Sequence, residues 1–508
     1  MIKKAKKTKS GVPGDLPKMF EFNVIVQTGQ WPDSWKVVYG LPLKKIPNPI
    51  NEDQLRVISL TLFFSKVFER FVIQWLMDYL KEHIDVWQYG GQKGSSVSHY
   101  LIDFINFVSY NQDIKKIHAV LAVAIDFDKA FNRQNHNILI ELLSELGVPG
   151  WLLQIVIGFL ENREMEVHFK GETSNRKSLP GGGPQGTILG MFLFLILINE
   201  AGFKEKIRNT GQLITSNPTK RKPMEKIHLK FIDDMTAAVS INLKENLVQN
   251  PDPNPIRPLQ YHDRTQHILP EERSQLQSLL DDLMTYSDDH QMQINQSKSK
   301  VMLFNNAIKY DFLPKLSLQN DNPLEVVEEM RLLGVVVRSD LSWRSNTTAM
   351  CQKAYARLWM LRRLKPLGAS VDELLDVYEK QIRCITEFSV AVWTSGITKD
   401  EVNQIERVQR AAFAIILAKK YKSYDNALIK LNRTTLSYRR KELNLKFANK
   451  CIKSEKYEHW FCKNNPSDQI SKTRSEQTEL IPVQARTSSF ANSPIAYLTR
   501  LINESKSK

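Results

Sequence analysis

The stretch LKFIDDMTAAV, residues 229–239, alternates in hydrophobicity on both sides of a break made of two carboxylates. Leu229 and Phe231 fall on one side, His228 and Lys230 on the other. Beyond the break, Ala237, Val239 and Ile241 alternate with Thr236, Ala238 and Ser240. Period-two patterning around a short interruption predicts a β-hairpin. Its tip reads Ile-Asp-Asp-Met, whereas a two-residue turn is served best by Asn-Gly or Asp-Gly. Adjacent carboxylates repel, and turn chemistry does not require the pair. A compensating positive charge, such as a bound cation, would make the pair tolerable at the tip of a buried hairpin.

The surrounding sequence reads as an α+β domain. HAVLAVAIDF (118–127) is a continuous apolar run ending at Asp126 and Phe127, as in a strand covered on both faces. Ile138, Leu139, Leu142, Leu143 and Leu146 then repeat at helical spacing, closed by Gly147 and Pro149. Helices are also predicted from about Leu62 onward and through Leu276, Leu279, Leu280, Leu283 and Met284, with a strand at VMLF (301–304). PGGGPQGTILGMFLFLILI (180–198) is a glycine-rich loop opening onto an apolar helix. It lacks the Lys-Ser/Thr of a nucleotide-binding P-loop, and GGQKGSS (90–96) has similar letters in the wrong order. Polar inserts are expected at about 204–226 and 244–270, the second a Pro-rich loop. Past about Arg338 the chain becomes all-helical, and between 351 and 455 Lys and Arg outnumber Asp and Glu about two to one.

The formal charge of +15 makes the chain a candidate for binding a polyanion. No apolar run reaches the roughly 18 residues of a membrane span, and the N-terminal MIKKAKKTKSG has no apolar stretch behind it. These features predict an intracellular protein, nuclear or cytoplasmic, and not a secreted one. The N-terminal lysines read as a solvated tail, with a nuclear address as the alternative. Four scattered cysteines give no CxxC pair, so disulfides and a zinc site at Cys451, His459 and Cys462 are poorly supported.

Hard divalent cations prefer oxygen ligands, and Mg²⁺ is typically held by one or two carboxylates plus substrate phosphates. Asp233 and Asp234 would supply half of such a site, and Asp126 a third ligand if the two strands are neighbours. That set suits a two-metal in-line displacement. Each piece has a plainer reading as well: an Asp pair is common in turns, and Asp126 could cap the helix after its strand.

Taken in order, PLKKIPNPINEDQLRVISLTLFFSKVFER, QYGGQKGSS, AIDFDKAFNRQNHNILIELLSELGVP, GGGPQGTILG, KFIDDM, QINQSKSKVMLF and RLLGVVV resemble the successive motifs of reverse transcriptases, particularly those of non-LTR retrotransposons. The basic region, including YEKQIRCITEFSVAVWTSGITKDEVNQIERVQRAAFAIIL, resembles the thumb and following helices of the same elements. The resemblance implies a right-hand polymerase of fingers, palm with an antiparallel sheet, and thumb. It places a polar, basic segment at 1–28, fingers and palm at 29–338, thumb and following helices at 339–460, and a polar tail at 461–508. It implies RNA-directed DNA polymerisation with two Mg²⁺ ions, Mn²⁺ being the alternative, on an RNA template with a DNA primer and dNTPs. Asp126, Asp233 and Asp234 would be catalytic and metal-binding, with the Phe127 carbonyl as a further ligand. Lys45 and Arg56 match residues that grip the triphosphate. Phe131 matches the aromatic under the incoming sugar, Gln185 and Gly186 the loop at the template and nascent pair, and Lys298 a lysine that protonates pyrophosphate, with Lys300 a near competitor.

The sequence departs from the family's pattern in places. FIDD replaces an aromatic-Ala-Asp-Asp box, with Ile232 expected to keep the strand pattern. LRVISL lacks a proline of the usual fingers motif but keeps Arg56, and Asn132 stands where an Asp is common. The sequence is expected to carry neither an endonuclease ahead of the fingers nor an RNase H pattern after the thumb, and so reads as a fragment of an element or a polymerase that relies on others for priming. The competing expectation is an inactive, element-derived nucleic-acid-binding protein. An RNA-directed RNA polymerase is disfavoured by Phe131.

Overall fold

A computed structural model describes residues 19–114, 119–128, 130–179, 181–183, 186–201, 222–241, 270–304, 316–318, 322–463 and 479–506. The apolar run after His118 becomes the strand Ala119–Ile125, in the middle of a five-stranded sheet. Across the sheet the order is Glu325–Val326, Lys300–Phe304, Ala119–Ile125, Asp234–Ile241, Lys226–Phe231. All neighbours are antiparallel except the short edge pair with Lys300–Phe304.

Alternation along the strands feeds two separate cores. Leu121, Val123, Ile125, Met235, Ala237, Val239, Val301 and Leu303 face one; Val120, Ala122, Ala238, Leu229, Met302 and Phe304 face the other. Each fully buried Val or Leu here contributes roughly 1.5–3 kcal/mol. The first core is closed by the helices Phe63–Leu80, His136–Glu145, Gly150–Leu160, Ile188–Leu197 and Pro270–Asp289. The second is closed by the helix Val97–Asp113 and by the helical region that begins at Arg344. A second sheet carries the antiparallel ribbon Val37–Lys44 with Leu55–Leu60, and Val37–Gly40 also pairs in parallel with Glu164–Val167.

The apolar helix Ile188–Leu197 shows how the sequence anchors the glycine loop. Thr187 caps it by accepting from Gly190 N–H at 3.2 Å. The buried Glu69 carboxylate accepts from Ile188 N–H at 2.6 Å and Leu189 N–H at 3.0 Å. An anion at a helix N-terminus satisfies otherwise orphaned donors and the dipole together.

The ends of the chain differ from their reading as polar segments. Residues Met19–Thr28 form a helix, with Ile25 buried and Phe22 packed against Phe68 and Trp35. Of the segment 461–508, the described part is not a tail: Pro494–Lys506 is amphipathic and buries Ile495, Leu498, Leu501 and Ile502. Its sequence looks polar because only one stripe of that helix is apolar. Most of the two expected inserts, including the Pro-rich loop, lies outside the described residues. No described helix is long and apolar enough to cross a membrane.

Candidate active site

The register sets Ile125 opposite Met235, so Asp126 leaves the central strand beside the hairpin tip that carries Asp233 and Asp234. Three carboxylates from two neighbouring strands thus converge at one end of the sheet. The Asp126 N–H donates to Ser299 Oγ at 3.3 Å, and its carbonyl accepts from Asn295 N–H at 2.7 Å. The Asp128 N–H donates to Gln293 carbonyl at 2.7 Å on the same side. In a trans peptide the C=O points opposite to the following N–H, so the Phe127 carbonyl points away from Gln293.

Electrostatically the site is over-supplied with negative charge. Burial raises the Asp233 carboxyl above its ordinary range and Asp126 adds to the rise, while Arg56 opposes it. Asp234 is pushed up to about 6, first by loss of solvent, then by the charges of Asp233 and Asp126, against the pull of Lys298. Lys298 Nζ lies 3.1 Å from Asp126 Oδ2. Lys300 turns instead to Glu325 and to the Ser297 carbonyl, so of the two competing lysines it is Lys298 that reaches the carboxylates. Among the described residues no three His, Cys, Asp or Glu side chains are gathered tightly enough to be a ready metal cage. The chemistry of the donor set still fits a hard cation: carboxylates crowded by like charge, which a positive ion would relieve.

The hairpin turn corrects one sequence expectation. Ile232 does not continue the strand. It sits in the two-residue turn between Phe231 and Asp234 at φ 62°, a left-handed conformation that a β-branched residue adopts at a cost of about 1–3 kcal/mol. The surrounding structure holds it there. Gln88 Oε1 accepts from Ile232 N–H and from Gly90 N–H, both at 2.9 Å. Tyr89 N–H donates to the Lys230 carbonyl at 2.8 Å, and Lys230 N–H to the Trp87 carbonyl at 3.0 Å. A Cβ on Gly90 would stand 2.6 Å from Ile232 N, so the QYGG segment is pressed directly on the turn.

Below the hairpin is a buried ion pair that the sequence reading missed. Lys230 Nζ lies 2.7 Å from Asp85 Oδ2 and donates to the Asn199 carbonyl; His228 Nε2 lies 3.2 Å from the same oxygen. Burial works to raise the Asp85 carboxyl, but the hydrogen bond with His228 and the Lys230 charge outweigh it and hold it at about 2. The available signal was His228 and Lys230 alternating with the apolar Ile227, Leu229 and Phe231.

The remaining expected residues lie on the ribbon 37–60, in the turn after the central strand and in the glycine loop. Arg56, exposed on Leu55–Leu60, pairs with Leu43 and acts electrostatically on Asp233. Lys45 is one rung past the end of that ladder, its N–H donating to Gln54 carbonyl at 2.8 Å, on the face that carries Arg56. Phe131 lies in the turn Ala130–Arg133, half-buried, its ring stacked on Phe194 with centroids 4.3 Å apart. The glycine loop is clipped to this turn: Gly183 N–H donates to Phe131 carbonyl at 2.7 Å and Gly182 N–H to Gln134 carbonyl at 2.9 Å. Gln185 and the Asn132 side chain lie outside the described residues. Gly186 has φ +126°, and a Cβ there would meet Ser59 carbonyl oxygen at 2.2 Å, so the loop lies directly on the strand of Arg56. Gly186→Ala is expected to destabilise the protein by about 2–4 kcal/mol, from strain plus overpacking. A urea midpoint equal to that of the parent would refute this close approach.

Residues 44–337 match the reverse transcriptase (RNA-dependent DNA polymerase) family. The chain belongs to that family. This reverse transcriptase is 26% identical over 182 residues to the RNA-directed DNA polymerase from mobile element jockey of Drosophila melanogaster, covering 35% of this chain and 20% of that protein. With the jockey polymerase of Drosophila funebris it shares 22% over 365 residues, 70% of this chain and 35% of that one. The chain therefore spans between a fifth and about a third of the length of these relatives. Among solved structures, telomerase from Candida albicans, in complex with a fragment of telomeric RNA, aligns over 86% of this chain and 67% of its own, at 13% identity and a TM-score of 0.37.

Proposed function

We propose that this reverse transcriptase is an RNA-directed DNA polymerase of the non-LTR retrotransposon type, extending a primer 3′-hydroxyl with dNTPs. The observation that carries the reading is the convergence of Asp126, Asp233 and Asp234 at one end of the central sheet. In this reading the central sheet is the palm, the ribbon of Lys45 and Arg56 belongs to the fingers, and the basic helices from Arg344 onward are the thumb and its extension. Two Mg²⁺ ions held by Asp126, Asp233 and the Phe127 carbonyl, with Asp234 in support and Mn²⁺ as alternative, would activate the attacking hydroxyl and stabilise the leaving oxygen.

The protein's own groups then have separate tasks. Arg56 and Lys45 hold the triphosphate, the guanidinium as a fork and the ammonium as a point charge. Lys298 Nζ supplies a proton to the departing pyrophosphate. Gly186, with Gln185 beside it, lets the loop backbone approach the template and the nascent pair. Basic helices retain primer and template chiefly through phosphates, so retention weakens steeply with salt.

Phe131 sets sugar choice. Its ring, braced by Phe194, makes a wall where a 2′-hydroxyl would stand. Phe131→Val is expected to raise ribonucleotide incorporation relative to dNTP on the order of a hundredfold. Competitive single-nucleotide incorporation on an RNA template measures it. An unchanged ratio removes Phe131 from the gate.

A further inference from the structure

The helical region beyond the family match reaches back to the catalytic hairpin. Trp460 Nε1 donates to Asp103 Oδ1 at 2.7 Å, and Tyr89 Oη donates to the other oxygen of the same carboxylate. All three residues are buried. Beside them, Tyr457 Oη lies 2.6 Å from Ser95 Oγ, and Lys456 Nζ donates to Ser95 Oγ at 2.9 Å. Tyr457 also stacks on His99, with ring centroids 4.0 Å apart, and Cys451 Sγ lies 3.5 Å from His99 Nε2. Residues 451–460 thus grip the segment 89–103 through several directed contacts.

That segment is the one that supports the strained turn. Tyr89 is bound through its main chain to Lys230 and precedes Gly90, which leaves no room for even a methyl group against Ile232. Gly90 packs directly on the Ile232 backbone, so a displacement at Tyr89 bears on the turn that carries Asp233. Removing the Trp460 N–H leaves one oxygen of a buried carboxylate without its donor, and Asp103 must turn to find another, carrying Tyr89 with it.

We infer that Trp460, acting through Asp103 and Tyr89, is a positioning residue for the catalytic hairpin, so that the C-terminal helical region helps to set the geometry of Asp233 and Asp234. The inference rests on the polymerase reading for its kinetic consequence but not for its structural one.

Trp460→Phe in the full chain keeps an aromatic ring and deletes the donor. Its expected effect is a fall in kcat of about tenfold for single-nucleotide incorporation, with KM for dNTP and retention of the primer–template unchanged. Amide hydrogen exchange should rise across residues 226–241 and stay at the parent level in the helix Lys399–Leu417. Tyr89→Phe removes the other donor to the same carboxylate, and the double variant should be little worse than either single one. Unaltered exchange in the hairpin of folded Trp460→Phe overturns the inference, as does a loss in primer–template binding with kcat intact. If Trp460→Phe fails to unfold cooperatively, Tyr457→Phe, which deletes one hydroxyl of the same grip, is read by the same exchange measurement and the same outcomes. If the parent itself does not extend a primer, the polymerase reading fails, and hairpin exchange still decides the latch.

Discussion

Asp233→Asn is expected to cut primer extension by about a thousandfold or more, roughly 4 kcal/mol of transition-state stabilisation, while making the metal-free protein more stable. The two effects have one cause. Burial and Asp126 raise the Asp233 carboxyl above its ordinary range in the folded state. A carboxyl raised in this way contributes stability below its unfolded value that is lost as pH rises through the folded one. At neutral pH the ionised Asp233 therefore opposes folding, and the neutral amide does not. Thermal unfolding at pH 7 in chelator-treated buffer should show a higher midpoint for Asp233→Asn than for the parent. Added Mg²⁺ should raise the parent's midpoint and leave the variant's nearly unmoved. A variant that is less stable without metal would mean that Asp233 is held by structural partners and is not poised for a cation.

Asp85→Asn is expected to do the opposite: destabilise strongly without touching the chemistry directly. It would leave the Lys230 ammonium, only 2% exposed, without its counter-ion. Breaking a buried pair in this way costs about 3–5 kcal/mol. The pH dependence carries its own sign. The Asp85 carboxyl is lowered from 3.8 to about 2, so its contribution is present above the unfolded value and disappears as pH falls through about 2. That shift corresponds to about 2 kcal/mol at neutral pH. Urea denaturation should show the gap between parent and variant, wide at pH 6, narrowing by about 2 kcal/mol between about pH 4 and 2. Equal separation across that range would show that Asp85 acts through packing alone.

What the sequence made legible follows from periodicity. The central strand reads as an unbroken apolar run because both its faces are buried, and the hairpin alternates on either side of its tip, so the three carboxylates could be placed at strand ends without a structure. The clip between the glycine loop and the turn of Phe131 was not legible, since it runs through main-chain hydrogen bonds that leave no compositional mark. The tip itself is legible as Ile-Asp-Asp-Met, but an apolar Ile232 after Phe231 also extends the strand pattern, and only the register assigns it to the two-residue turn. Lys298 and Lys300 have equal standing as letters, and the choice between them depends on which way the strand Lys300–Phe304 turns its first side chain. The last helix was taken for a tail because an amphipathic helix with a narrow apolar stripe reads as polar on average. The grip of Trp460 on Asp103 spans 357 positions, beyond any local pattern.

The most direct test of the account is extension of an oligo(dT) primer on poly(rA) by the purified parent chain with dTTP and Mg²⁺, alongside Asp233→Ala and a chelator control. The parent should give a ladder of extended DNA in Mg²⁺ only and the variant none, while both proteins retain the primer–template and release it as salt rises. Retention by both with extension by neither would contradict it, leaving a protein that binds nucleic acid and no longer performs the chemistry for which its carboxylates are arranged.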